Sequence, residues 1–187
     1  MDLNSVFAAI PDIETKHYRL RGMKLADSEQ MYPFLADAET MKFITPHPVQ
    51  STREVWHEIK IHLEKYHQKR EIPWIIEDKQ NGAVIGMFRL HKLHTWHKKA
   101  ELGAIIRKED QNRGVMTEIL GEILAFAFHD LGLNRIVGDI FTENTASEKL
   151  LKKYGFRKEG VMRETDYDGS RYHDTVVYSL LKSEYQG

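Results

Sequence analysis

Gln111-Asn112-Arg113-Gly114-Val115-Met116-Thr117-Glu118 reads as a polar loop that turns into the start of a helix. Before it lies a short apolar run, Ala100–Ile106. After it, Met116, Ile119, Leu120, Ile123 and Ala127 recur as one helical stripe. A strand, a glycine-containing loop and a helix N-terminus together make an anion site. The first helical N–H groups lack internal acceptors, and the helix dipole favours negative charge there. Gly114 lets the backbone approach a ligand where a side chain would block it. The alternative reading is an ordinary strand-to-helix turn.

Working outward, strand-like and helical segments alternate around this stretch. Arg135–Phe141 reads as a strand, so the strand–helix–strand order over residues 100–141 requires a crossover and a parallel pair. Upstream, Trp74-Ile75-Ile76 is strand-like, Asn81-Gly82 is a hairpin signal, and Ala83–Leu90 is the partner strand. With Ala100–Ile106, reached through Thr95-Trp96-His97, these make an antiparallel meander. Downstream, the helix after Gly114 runs to about Leu131, with Gly132 as its stop. Glu143-Asn144-Thr145 opens a helix that ends at Tyr154 before Gly155. Phe156–Met162 and Tyr172–Leu181 are further strands, joined through a turn at Asp168-Gly169.

The first half of the chain is mostly helical. Leu3, Val6, Phe7 and Ile10 place a short helix within residues 1–13, ended by Pro11. Its spare apolar face packs on the body or on a second copy, which makes a homodimer an option. Glu14–Met23 reads as one half-buried strand. Asp27 with Gln30, Asp37, and Ser51 with Glu54 are polar helix starts. The last opens a helix whose Val55, Ile59, Leu63 and Tyr66 share a face. Two prolines keep Thr45-Pro46-His47-Pro48-Val49 irregular. The fold class expected is α/β: a mixed, largely antiparallel central sheet with helices on both faces.

The 187 residues suit one domain. A formal net charge of -1 gives no support for a protein that coats nucleic acid. The absence of cysteine excludes disulfides, a thiol nucleophile and thiolate metal ligands. No apolar run reaches bilayer length and no secretory signal is visible, so a cytoplasmic protein without a membrane partner is expected.

The element order and the Gln111–Met116 loop resemble the GNAT superfamily of acyl-CoA-dependent N-acetyltransferases. The loop follows that family's Gln/Arg-x-x-Gly-x-Gly/Ala pattern except at the last position, Met116. Ala100-Glu101-Leu102-Gly103, Met116-Thr117-Glu118 and Leu133-Asn134-Arg135-Ile136 resemble the RimJ/RimL-type branch. So do Asn144-Thr145-Ala146-Ser147, Gly155-Phe156-Arg157-Lys158-Glu159-Gly160 and Val177-Tyr178-Ser179-Leu180-Leu181 with Asp174. The likeness covers about Glu14 to Tyr185. It implies a single acetyltransferase domain over 1–187, with the 1–13 helix outside the resemblance.

The resemblance implies acetyl-CoA as co-substrate and a primary amine as acceptor, with no metal. Backbone N–H groups of Gln111, Asn112, Arg113, Gly114, Val115, Met116 and Thr117 would hold the pyrophosphate. The pantetheine arm would pair beside Ile105 and Ile106, and an N–H near Ala104–Ile105 would bind the developing oxyanion. Direct transfer needs a deprotonated amine and a proton for the leaving thiolate. Glu101 is the expected base, or else half of a structural salt bridge. Many GNAT enzymes carry a proton-donating Tyr where Leu151 stands, and Tyr154 is out of register and reads as packing. Ser147 is the candidate donor, or else a first-turn hydroxyl bonded to backbone. Asn144 orients CoA or a water, or caps its helix, or both.

His91, His94 and His97 are spaced for a helix but begin in a strand, which argues against a shared metal. Trp56, Trp74 and Trp96 are cleft or core residues, while Thr45–Val49 and the Trp96 turn are expected on the acceptor side. The acceptor reading is an α-amino group of a protein, such as a ribosomal protein, or of a peptide. The alternatives are a small amine (polyamine, aminoglycoside or amino-acid derivative) and an acyl-CoA sensor without turnover.

Overall fold

The computed structural model describes residues 6–187. Its strands are β1 (Ile13–Glu14), β2 (Tyr18–Gly22), β3 (Ile72–Asp78), β4 (Val84–His94), β5 (Lys99–Ile106), β6 (Arg135–Phe141), β7 (Arg157–Tyr167) and β8 (Tyr172–Leu181). They form one sheet in the order β1-β2-β3-β4-β5-β6-β8-β7. Only β5 and β6 pair in parallel; the other described pairs are antiparallel. The helices are α1 (Ser28–Leu35), α2 (Ala38–Met41), α3 (Thr52–His67), α4 (Val115–Ala125) and α5 (Thr145–Lys153).

The period-2 pattern of the strands separates two cores. Ile75, Val84, Met87 and Ile105 face Met31, Phe34, Leu35, Met41, Val55 and Ile59 of α1, α2 and α3. Trp74, Ile76, Phe88, Leu90, Ile106 and Ile136 face Ile119, Leu120, Ile123 and Leu124 of α4 and Leu151 of α5. A sheet buried on both faces explains why its central strands read as near-continuous apolar runs. No helix among the described residues is long and apolar enough to cross a membrane.

Several elements differ from the local reading. Residues 1–5 lie outside the described residues, and from Phe7 the chain turns instead of continuing as helix toward residue 13. The Val6 carbonyl accepts from Tyr66 Oη at 2.8 Å and the Pro11 carbonyl from Trp74 Nε1 at 2.7 Å. Tertiary partners thus replace helical ones. The single strand expected over Glu14–Met23 is two strands, β1 and β2, folded about Thr15–His17.

Asp27 does not cap α1. Its carboxylate turns back to the Lys24 N–H and to Arg21. The Asn81-Gly82 hairpin closes through a loop from Lys79 to Ala83, longer than the two-residue turn that the dipeptide favours. After α4 the helix loosens into a π-turn over Phe126–Asp130, and Gly132 then stops it at φ 63°.

Candidate active site

β5 and β6 pair at Lys99–Arg135, Ala100–Ile136 and Glu101–Val137, and no further. β5 stays paired with β4 as far as Ile106, and β6 stays with β8 as far as Phe141. Each half of the sheet follows its own twist, so a crevice opens between Leu102–Ile106 and Gly138–Phe141. In open α/β sheets such a parting, at the carboxyl ends of parallel strands, is where ligands bind. On this side β5 presents backbone that no strand satisfies.

The loop after β5 closes one end of the crevice. Gly114 is the N-cap residue of α4 and adopts φ 83°, a left-handed conformation natural to glycine. Asn112 is also left-handed, at φ 59°. The Glu118 N–H makes its helical bond to the Gly114 carbonyl at 3.0 Å. The N–H groups of Val115, Met116 and Thr117 therefore have no helical acceptor. Asp110, buried beneath the loop, pairs with Arg107 and, at 3.2 Å, with Arg113. The Arg113 guanidinium remains largely exposed beside the helix start. Gln111, expected at the cofactor, donates its side-chain amide to the Ile106 carbonyl at 2.9 Å and so ties the loop to β5.

At the start of the crevice, Glu101 pairs with Lys92 at 2.8 Å. A bulge between His91 and His94, with Lys92 at φ 45°, turns that lysine back toward β5. Hydrogen bonding to Glu101 raises the Lys92 pKa. Asp139, on β6, reaches solvent, yet the surrounding protein and the Glu101 charge push its carboxyl up. Glu101 thus does form a salt bridge, while facing the crevice from a strand position.

The expected donors fare differently. Asn144 Oδ1 accepts from the Ser147 N–H at 3.2 Å, so Asn144 caps α5 and Ser147 supplies the capped amide. Leu151 is buried against Gly138. Tyr154 Oη donates to the Thr117 carbonyl and rests on Gly121, which makes it a brace between α5 and α4.

Beyond Phe141 lies a cavity of about 340 Å³. One wall is Ala38, Lys42, Ile44, Thr45, Pro46 and Pro48; the other is Phe141, Asp166, Tyr167, Asp168, Ser170 and His173. His173 stacks on Phe141 with ring centroids 5.1 Å apart. Its Nε2 lies 2.6 Å from Asp168 and its Nδ1 3.3 Å from Glu143. Hydrogen bonding to Asp168 raises the His173 pKa, and the same bond holds the Asp168 carboxyl well below the usual range. A larger cavity of about 400 Å³ lies between β2 and α3, away from the parting strands. Its arginines are already paired, Arg19 with Asp12 and Arg21 with Asp27 and Glu77.

The model of the acetyltransferase (GNAT) domain matches residues 17–157. The chain belongs to the GNAT acetyltransferase family. YoaA, an N-acetyltransferase of Bacillus subtilis, is 33% identical over 172 residues, 92% of this chain and 97% of its own. A spermidine N(1)-acetyltransferase of Vibrio cholerae is 26% identical over 166 residues, 89% of this chain and 94% of its own. The structure of RimL, a ribosomal L7/L12 α-N-protein acetyltransferase in complex with coenzyme A, superposes with a TM-score of 0.84. That superposition covers 91% of this chain and 98% of RimL at 17% identity, a likeness of fold. The protein is thus an N-acetyltransferase of GNAT type, similar to the RimJ/RimL branch.

In this GNAT chain, Trp74 is fully buried in the core, Trp56 is at the surface, and Trp96 projects from the β4–β5 turn at 85% exposure. His94 and His97 meet at that turn with ring centroids 4.2 Å apart, while His91 lies on the strand face behind the bulge. The His173–Asp168–Glu143 cluster went unseen in the sequence. Asp168-Gly169 marked only a turn, and nothing local links Glu143 to His173.

Proposed function

We propose that the protein moves an acetyl group from acetyl-CoA directly to a primary amine, the α-amino group of a protein or peptide. We assign the whole chain, 1–187, to one catalytic domain. The observation that carries the reading is the conjunction of a parted β5–β6 pair with the left-handed Gly114 start of α4. The first offers unpaired strand backbone to a pantetheine arm, and the second offers free N–H groups to a pyrophosphate. Arg113 adds positive charge beside them.

In this reading, Asn112–Thr117 hold the pyrophosphate and the edge of β5 at Ile105–Ile106 holds the arm. Asn144, its side-chain oxygen engaged in capping α5, offers its amide N–H groups. Glu101, the carboxylate that its β5 position offers as a base, draws the ammonium form of the acceptor toward the crevice. The free amine attacks the thioester carbonyl, and a β5 N–H near Ala104–Ile105 steadies the oxyanion. The C–S bond then breaks and the thiolate takes a proton, for which Ser147 is our candidate donor.

The cavity walled by Thr45–Pro48 and the β7–β8 tip opens to the surface, which suits the end of a longer chain. A second reading, a polyamine acceptor, is favoured by the carboxylates Glu101, Asp139 and Asp166 and by the similarity to a spermidine enzyme.

Calorimetric titration with acetyl-CoA, run beside Gly114→Trp, tests the site. Saturable binding in the wild type, lost in the variant, is expected. Thiol release with a peptide bearing a free α-amine, its N-acetylated form and spermidine then separates the acceptors. A wild type that binds no acetyl-CoA overturns the reading.

A further inference from the structure

His91 has no part in the scheme above, yet the fold sets it on β4 beside Glu101, at the start of the crevice. It lies on β4 directly opposite Glu101 of β5. The next β5 residue on that face is Gly103, and its missing side chain is what makes room for the imidazole. A Cβ built on Gly103 would stand 3.2 Å from His91 Cδ2 and 3.3 Å from Nε2. The ring therefore covers the β5 backbone one residue before the Ala104–Ile105 amides assigned to the oxyanion. It faces the same side of the sheet as Glu101, Asp139 and Phe141, whose registers align through Glu101–Val137. In a regular strand Lys92 would point to the opposite face from His91. The bulge instead brings both toward Glu101.

We infer that His91 is the group that takes the proton from the acceptor's ammonium, with Glu101 and Lys92 fixing the charge beside it. The inference rests on the acetyl-transfer reading. It assigns Glu101, already paired with Lys92, to binding the ammonium, and gives the proton to the neighbouring imidazole. A neutral ring nitrogen gains the proton as the amine's lone pair is freed to attack the thioester carbon. The imidazolium returns it to solvent after the C–S bond breaks, and the thiolate's proton comes from Ser147 as above.

The surroundings suit that role. Burial, and then the Arg89 guanidinium, lower the His91 pKa below its ordinary 6.5, against the opposing charges of Glu101 and Glu71. Behind the ring, Glu71 is buried between Arg89 at 3.7 Å and His62 of α3 at 2.6 Å. These groups and Lys92 are the charged and titratable neighbours from α3, β4, β5 and the residue before β3. A base works above its pKa, so a lowered one keeps the ring neutral and competent at pH 7.

The test is the pH dependence of kcat at saturating acetyl-CoA, with spermidine and a free-α-amine peptide as the two probes. It compares wild type, His91→Ala, His91→Gln and Glu101→Gln. The expected result is an acid limb below pH 6.5 in the wild type and in Glu101→Gln. That limb should be absent from both His91 variants, whose kcat falls roughly 10²–10³-fold. Acetyl-CoA affinity by calorimetry and the thermal midpoint should stay near wild type. Added imidazole should restore part of the rate to His91→Ala, which a packing role would not allow.

His91 variants within threefold of wild type, with the acid limb intact, would overturn the inference and leave acetyl transfer standing. So would an acid limb that disappears only in Glu101→Gln. A wild type that binds acetyl-CoA but acetylates neither probe would overturn the transfer reading and the inference with it.

Discussion

Glu118 stands one turn into α4, where the local pattern gives it a helix-surface role. The fold instead makes it the anchor of the β1–β2 turn. Its carboxylate accepts from Thr15 Oγ1 at 2.5 Å, from the His17 N–H at 2.7 Å, and lies 2.7 Å from His17 Nδ1. Burial opposes ionisation, but these hydrogen bonds outweigh it and hold the pKa at about 2. The folded value lies below the ordinary 4.5, so the stabilisation is full above pH 4.5 and is lost as pH falls through about 2. Glu118→Gln should cost about 1–2 kcal/mol at pH 7, the worth of hydrogen bonds to a partly exposed charge. Urea midpoints measured from pH 7 to 2.5 should show the gap between variant and wild type narrowing below pH 4.5. Thr15 and His17 lie more than a hundred positions before Glu118, so no spacing rule could have paired them. Asn144, by contrast, was legible as a cap, because its partner Ser147 is three residues away.

Among elements, the β7–β8 hairpin departs furthest from its sequence reading. Phe156–Met162 suggested a short strand, yet β7 runs from Arg157 to Tyr167 with nearly every side chain exposed. It is an edge strand, so burial leaves no alternating pattern to read. Pairing with β8 sets its length instead, through register shifts at Lys158/Gly160 and Met162/Asp166. Its tip is pinned by His173 between Asp168 and Glu143, which closes one wall of the acceptor cavity.

The His173 pKa is raised above the ordinary 6.5, so the pin is fully present below pH 6.5 and is lost as pH rises through the folded value. Amide exchange at Ser170 and Arg171, compared at equal intrinsic rates, should therefore speed up on the alkaline side, and His173→Phe should abolish that dependence. An unchanged pH dependence in His173→Phe would remove His173 from the account. The α4 start was more legible. Its glycine, loop and apolar stripe are consecutive residues, and they predicted both the turn and the helix.

For the whole molecule, the decisive feature is that two half-sheets meet over only three parallel residue pairs. One core under α4 and α5 runs beneath both halves, and the crevice between them is where a ligand would bridge both. A co-substrate that binds only the folded form stabilises it by mass action, about 2.7 kcal/mol at a hundredfold excess over Kd. For a chain of this length that amounts to about 5–10 °C in the thermal midpoint. Wild type heated with acetyl-CoA should show such a rise and Gly114→Trp should not. An equal rise in both would place the ligand away from the α4 start.

Local chemistry alone determined the strand and helix periods, the glycine stops at Gly132 and Gly155, the parallel crossover, and the family to which the loop and its flanking segments point. The periods and stops rest on residues close together in the chain, where backbone sterics and hydrogen bonding act over one or two turns, and the crossover and the family follow from the order of such segments. Tertiary structure decided the rest. It split the Glu14–Met23 strand around the Glu118 anchor and used Gln111 as a tie to Ile106. It also set His91 over Gly103 and brought His173 to Asp168 and Glu143. The Glu118 anchor and the Glu143–His173 contact join distant segments, while the Gln111, His91 and Asp168 contacts span fewer residues. The geometry of all of them follows from strand register, a bulge and the parting of β5 from β6. No spacing along the chain encodes those features.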